Sequence, residues 1–247
     1  MATAPARHVV ILAPMPHEMD AIVAAFGLQP TNDRGGSQFT GRVGGSEVRA
    51  LHVGMGPALT RAALGRVFTE AEATGTPVDH VMNAGICGGL GPDLPVGTVI
   101  NPEVIIDHRS GATYHHAPPG PVPKAGKLIT TETVILDPEL SRSFLADGCV
   151  AVDMESAAVA EVCEARGCPW SVYRCIGDRW FDGLLDPRLL ALVNSDGSSD
   201  MDAVTRLLAA EPDIGAKLDQ LSTDTMLAAR LAAEAALVGC LAMDSQK

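Results

Sequence analysis

Read for hydrophobic and polar order, the chain begins with a continuous apolar run, His8–Ala13 (HVVILA), the pattern of a strand buried on both faces of a parallel sheet. After Pro14-Met15-Pro16, the residues Met19, Ile22, Val23 and Phe26 recur at helical spacing, so a helix follows the strand through a tight turn. Val48–Val53 repeats the strand, and Gly54-Met55-Gly56-Pro57 leads to an Ala/Leu-rich helix over about Ala58–Phe68. Val78–Met82 predicts a strand that ends in a glycine cluster, Asn83–Leu90. The β-branched stretch Val96–Ile106 and the segment Leu128–Ile135 also read as strands, separated by a His/Pro/Gly-rich loop over His108–Lys124.

The unit that follows is the clearest. Cys149–Val152 runs directly into Asp153-Met154-Glu155 and an Ala-rich helix to Ala165, stopped by Gly167 and Pro169. Ser171–Ile176 predicts the next strand, closing at Gly177-Asp178. A turn at Asp196–Asp200 precedes a helical tail in which Leu227, Leu231, Ala235 and Val238 share one stripe. Strands alternating with helices through short Gly-marked turns predict a three-layer α/β/α fold, with a central mixed, largely parallel twisted sheet. No repeat or linker divides the chain, so residues 1–247 are expected to form one domain.

Composition narrows the function. The chain has 18 Lys+Arg against 30 Asp+Glu, a formal charge of −12, which argues against nucleic-acid or anionic-membrane surfaces. Its six cysteines, Cys87, Cys149, Cys163, Cys168, Cys175 and Cys240, form no CxxC pair or zinc-type block, which predicts reduced thiols in a cytoplasmic protein. No signal-peptide pattern opens the chain, and no uninterrupted apolar run approaches the ~18 residues of a membrane span.

In a sheet of this kind ligands bind beyond the carboxyl ends of the strands. The polar residues placed there are Glu18, the Asn83–Leu90 glycine cluster, Asp153, Glu155 and Asp178. The acids lie on different elements with no His at ligand spacing, so acid/base work is expected, with no metal and no cofactor. Plainer roles exist for several. Glu18 could serve the positive end of a helix dipole, Asp153 is better placed as a helix N-cap than as a catalyst, and Asp178 could be a strand-end turn residue. Gly54-x-Gly56 lacks the third glycine of a dinucleotide fingerprint and reads as a strand-to-helix turn. Trp180 and Phe181 fit either core or pocket wall. Adjacent His115 and His116 sit in a loop that could cover a substrate.

These residues also carry a resemblance. Val152-Asp-Met-Glu-Ser-Ala-Ala-Val-Ala160 resembles the signature of the purine nucleoside phosphorylase / methylthioadenosine–S-adenosylhomocysteine nucleosidase superfamily. Asn83-Ala-Gly-Ile-Cys-Gly-Gly-Leu90, Met15–Met19 and Arg174-Cys-Ile-Gly-Asp178 match its other motifs in order, so the resemblance covers about residues 8–182. It implies cleavage of a purine N-glycosidic bond through an oxocarbenium-like transition state. Asp178 then matches the acid that protonates N7 of the base, which requires a carboxyl that keeps its proton near neutral pH. Glu155 matches the ribose-hydroxyl acceptor and Glu18 the base that activates water. Met154 packs on the sugar, Val134 and Ile135 fall where the base stacks, and Ile86 and Gly88 belong to the glycine segment of the substrate site, which Asp153, Trp180 and Phe181 complete.

The resemblance leaves two nucleophiles open. Ile86 cannot donate a side-chain hydrogen bond to phosphate, Pro16 and His17 stand where phosphorylases carry an Arg and a Gly, and Glu18 would repel a dianion. Hydrolysis of an adenine nucleoside such as methylthioadenosine or S-adenosylhomocysteine is therefore expected. Gly126–Val134 and the Asp/Gly-rich segment before the tail look more like the hopanoid-associated branch, which makes phosphorolysis of an adenosylhopane-type substrate the alternative, with Arg61, Arg109 or Arg174 as candidate phosphate contacts. A non-catalytic nucleoside binder is the further alternative. Gly177, where the family usually has Ser, departs from the pattern, as does Trp180-Phe181. The expected partners are a purine nucleoside, phosphate if the alternative holds, and further copies of the chain in a homo-oligomer.

Overall fold

The computed structural model describes residues 6–31, 38–115, 119 and 126–246. Strand β1 (Arg7–Ala13) leads to helix α1 (Pro16–Phe26), followed by β2 (Gln29–Pro30), β3 (Gln38–Val43), β4 (Ser46–His52) and α2 (Pro57–Thr74). Next come β5 (His80–Gly89), β6 (Val99–Ile100), β7 (Val104–Asp107), β8 (Thr113–Tyr114) and β9 (Lys127–Thr130). The remaining elements are α3 (Pro138–Ala146), β10 (Cys149–Asp153), α4 (Ser156–Ala165), β11 (Trp170–Arg179), α5 (Pro187–Leu190), α6 (Met201–Ala210) and α7 (Gly215–Ala242).

All the strands belong to one mixed sheet in the order β2-β3-β4-β1-β5-β10-β9-β7-β8, with β11 paired to β5 and β6. The pairs β1·β4, β1·β5, β5·β11, β9·β10 and β7·β9 are parallel, while β10 meets the end of β5 antiparallel. Strand alternation sorts the core into two layers. Val10, Leu12, Val81 and Val172 face α2 and α4, whereas Val9, Ile11, Met82 and Tyr173 face α1 and α7. The three-layer α/β/α expectation is met.

Local chemistry sets the helix ends. Pro16 occupies the first turn of α1, and Gly27, with φ of 65°, closes it in the left-handed conformation. In α4 the buried face is made of small residues, Ser156, Ala157, Ala158, Val159, Ala160 and Cys163, so this helix can lie close against the sheet.

Several expectations are corrected. The Asn83–Leu90 segment is no turn: β5 runs on through it to Gly89, because β11 and β10 pair with it along that length. Val96–Ile106 is two short strands interrupted around Pro102, and the strand expected to reach Ile135 ends at Thr130. The helix α3, capped by Asp137 and opened by Pro138, was not foreseen, nor were β2, β3 and β8. In α7 the stripe is turned. Ala228, Ala229, Ala232, Ala233, Ala236 and Gly239 face inward, while Leu227 and Val238 are exposed. The side chain of Tyr173 decides this: a Cβ at Gly239 would lie 1.9 Å from its hydroxyl, so only the small-residue face fits. Among the described residues, Pro212–Ala242 is long and apolar enough to cross a membrane, through an 18-residue stretch of mean hydropathy 1.5 that Arg230 and Glu234 interrupt. Its small-residue face, Ala228 to Cys240, is packed on β11 and α1.

Candidate active site

The ends of β1, β4, β5 and β11 point to one edge of the sheet, and β10 delivers its own end there from the opposite direction. Around that edge lies a cavity of about 660 Å³, within the usual range for small-molecule sites. Of the residues singled out in the sequence, Glu18, Ile86, Gly88, Val134, Ile135, Asp153, Met154, Glu155, Asp178 and Trp180 all line it. Phe181 does not: it is exposed, edge-on to Trp180 and under Arg179, because the chain turns outward after β11. His115 is exposed and outside the lining, and His116 lies outside the described residues.

Glu18 sits in the first turn of α1, 1% exposed. Its Oε2 accepts the Met15 backbone N–H at 2.8 Å, closing the helix start, while Oε1 accepts the Ile86 N–H at 2.7 Å. The helix-end role and the site position are thus combined in one carboxyl. Burial pushes its pKa up to about 7, opposed by the Arg174 guanidinium. Gly85 is what admits this arrangement, since a Cβ there would lie 2.2 Å from Glu18 Oε1 and 2.7 Å from Arg174 Nη1.

Glu155 stands at the N-cap of α4, where its Oε1 accepts the Gly56 N–H at 2.7 Å and its Oε2 accepts from Arg174 Nη2 at 2.8 Å. Burial raises its pKa too, against the pull of Arg174. The Gly54-x-Gly56 turn therefore has a further part in the site. Gly56, at φ of 98°, presents its N–H to Glu155 from the start of α2.

Asp178 lies within β11. A bulge there shifts the register so that Ile176 pairs Cys87 and Asp178 pairs Gly88, which interrupts the strand's alternation beside the cavity. The plain turn role is excluded, because the strand continues to Arg179. Burial pushes the carboxyl up to about 7, with Asp182 adding to the effect. It can therefore hold a proton near neutral pH, as a general acid must.

Asp153 is the N-terminal acceptor of α4, as expected. Its carboxylate takes the Thr130 hydroxyl at 2.7 Å, the Ser156 N–H at 3.1 Å and hydroxyl, and Arg174 Nε at 2.9 Å. Asp153 lines the cavity, and with its lone pairs so engaged it also braces the site. Arg174 is fully buried among Glu18, Asp153 and Glu155 and is not among the cavity-lining residues. Arg61 pairs with Glu161 and Arg109 with Glu132, both away from the cavity. No Lys or Arg side chain lines the cavity among the described residues.

The sequence reading did not find the Asn83–Ser156–Asp153 brace or the far wall. Asn83 Nδ2 donates to Ser156 Oγ at 3.0 Å. The wall comes from residues 185–226, including Leu189, Leu192, Val204, Leu221 and Met226. A charged Arg174 inside the apolar run Val172–Ile176 was the available signal for the first; the second left none, because its residues read as an ordinary amphipathic tail.

Known proteins resemble this chain in sequence and in fold. The chain is 28% identical over 206 residues to a 5′-methylthioadenosine/S-adenosylhomocysteine nucleosidase of Chromohalobacter salexigens, covering 70% of this chain and 84% of that one. It is 28% identical over 200 residues to a futalosine hydrolase of Streptomyces coelicolor, covering 69% and 83%. In fold it is similar to a Helicobacter pylori 5′-methylthioadenosine/S-adenosylhomocysteine nucleosidase, with a TM-score of 0.67 at 17% identity over 98% of this chain and 100% of that one. A Streptococcus pyogenes S-adenosylhomocysteine nucleosidase gives 0.70 at 16%, over 97% and 98%. The family model for the phosphorylase superfamily matches residues 8–146 and 120–210, a span that includes β1 through β11 and every acid described above, and the chain belongs to that superfamily.

Proposed function

We propose that this protein is a nucleosidase that hydrolyses the N-glycosidic bond of a 5′-substituted adenine nucleoside and releases adenine. One observation carries the reading: Glu18, Glu155 and Asp178 surround a single cavity that has no cationic side chain in its described lining. Asp178, held protonated near neutral pH, gives its proton to N7 of the leaving base. Glu155, fixed by Gly56 and Arg174, accepts hydrogen bonds from ribose hydroxyls as charge develops on the sugar. Glu18, held by two backbone N–H groups, has lone pairs left for a water that attacks the anomeric carbon, and it takes that water's proton. Proton exchange with solvent then restores both carboxyls, and the net reaction consumes one water.

The absence of a basic side chain from the described wall favours water over a phosphate dianion, which needs such donors. The same absence, with the apolar wall of Leu189, Leu192, Val204 and Leu221, favours an apolar 5′ group such as methylthio over the charged amino-acid end of S-adenosylhomocysteine. The names of the relatives agree with hydrolysis. The homo-oligomer implied by the resemblance belongs to this proposal, and the exposed Val134, Val193, Met201 and Met226 of the cavity lining are the apolar surface a second copy would cover.

The test is incubation with methylthioadenosine in phosphate-free buffer, with free base followed by chromatography. Adenine is expected without phosphate. Release that starts only when phosphate is added, with formation of a sugar 1-phosphate, would make the chain a phosphorylase, and no release under either condition would make it a binding protein.

A further inference from the structure

Arg174 and the acids around it are arranged more closely than substrate binding requires. The Arg174 Nε and Nη2 both reach Asp153 Oδ2, at 2.9 and 2.8 Å, and the same Nη2 also donates to Glu155 Oε2 at 2.8 Å. The Nη1 end is fully buried without a hydrogen-bond partner and stands 3.9 Å from Glu18 Oε1. Asp153 in turn is fixed from three elements, by Thr130 of β9, by Ser156 of α4 and, through Ser156, by Asn83 of β5. Three buried acids at the cavity thus share one fully buried cation.

We propose that Asp153 is a positioning residue, which locks the Arg174 guanidinium so that one end of its fork orients Glu155 and the other stays short of Glu18. The physical argument is a competition. A guanidinium donates in one plane, so the acid that takes its Nε side fixes where both Nη groups point. With Asp153 and Glu155 engaged by its Nε and Nη2, the guanidinium is largely matched before Glu18 is reached. Glu18 is left with two backbone N–H groups and a cation just beyond hydrogen-bond range, an environment in which it can take a proton from water. Without the Asp153 charge, Arg174 is free to turn toward Glu18 and hold it as a spent carboxylate. The groups that face this cation are Glu18 from α1, Cys87 from β5, Asp153 from β10 and Glu155 from the start of α4. Those that face Glu18 are Arg174 and Glu155.

This inference rests on the proposed function for its purpose, but its main test needs no substrate. In the full chain with 13C-labelled glutamate carboxyls, the Glu18 resonance is assigned by its loss in Glu18→Gln and titrated by NMR. Asp153→Asn is expected to lower the Glu18 midpoint by about one pH unit, because the Arg174 cation is released toward Glu18. The acid limb of the kcat/KM profile for methylthioadenosine moves the same way. An unchanged or raised midpoint overturns the proposal, even if the variant is less stable. Arg174→Lys supplies the second test, because one ammonium cannot replace the fork. KM is expected to rise about tenfold and kcat to fall with it, since both the hold on Glu155 and the set distance of the cation from Glu18 are lost. An unchanged KM overturns the proposal. A wild-type protein that releases no adenine, with the NMR shift present, would instead refute the function and leave the charge arrangement standing.

Discussion

Replacing Asp178 by Asn tests whether the cavity holds a carboxyl that prefers its proton. The amide imitates the protonated acid in shape but cannot ionise. In the folded chain the Asp178 carboxyl is raised from 3.8 to about 7, first by burial and then by Asp182. A raised acid stabilises the fold in full below its unfolded value, and that contribution is lost as pH rises through about 7. Between pH 5 and pH 8 the difference amounts to about 2.6 kcal/mol at most. Denaturant unfolding of wild type and Asp178→Asn at the two pH values measures it. The wild type is expected to lose stability from pH 5 to pH 8, and the variant to lose less by up to that amount. Equal losses in the two proteins would show that Asp178 is already ionised at pH 5, and the general-acid argument would go with it. In the same variant kcat is expected to fall by a factor on the order of 10²–10⁴.

Three other substitutions probe separate parts of the site. Gly85→Ala would press a Cβ against Glu18 Oε1 and Arg174 Nη1; kcat/KM for methylthioadenosine is expected to drop about 10²-fold through misplacement, and near-wild-type activity would show that Glu18 is not held as described. Glu155→Gln keeps the shape but not the charge that meets Arg174; KM should rise and kcat fall together, and a change in neither would remove Glu155 from the ribose. Phe181→Ala, outside the cavity, should leave both constants within about twofold in steady-state assays, since its exposed ring packs on Trp180 and Arg179.

The same residues show how far sequence reasoning reaches. Glu18, Glu155 and Asp178 were legible because each follows an apolar run of the sequence, and strands of such a sheet bring those positions to one edge. Arg174 was legible as an anomaly but not as a partner, because its three acids lie up to 156 positions away along the chain. Phe181 was misplaced because nothing in its neighbourhood records which way the chain leaves β11. The rotation of α7 was misread for a related reason: a leucine stripe and an alanine stripe both satisfy helical spacing, and the Tyr173 hydroxyl opposite Gly239 admits only the second.

By itself, the order of apolar runs and small-residue turns determined an α/β/α sheet protein with acids at the strand ends, since periodicity and turn chemistry are properties of neighbouring residues. Only the tertiary structure decided that three of those acids share one buried guanidinium, that β10 arrives antiparallel with Glu155, and that residues 185–226 close an apolar wall. Charge sharing and burial depend on distances between remote segments. They exist only once the chain has folded back on itself, and it is they that set which carboxyl keeps a proton.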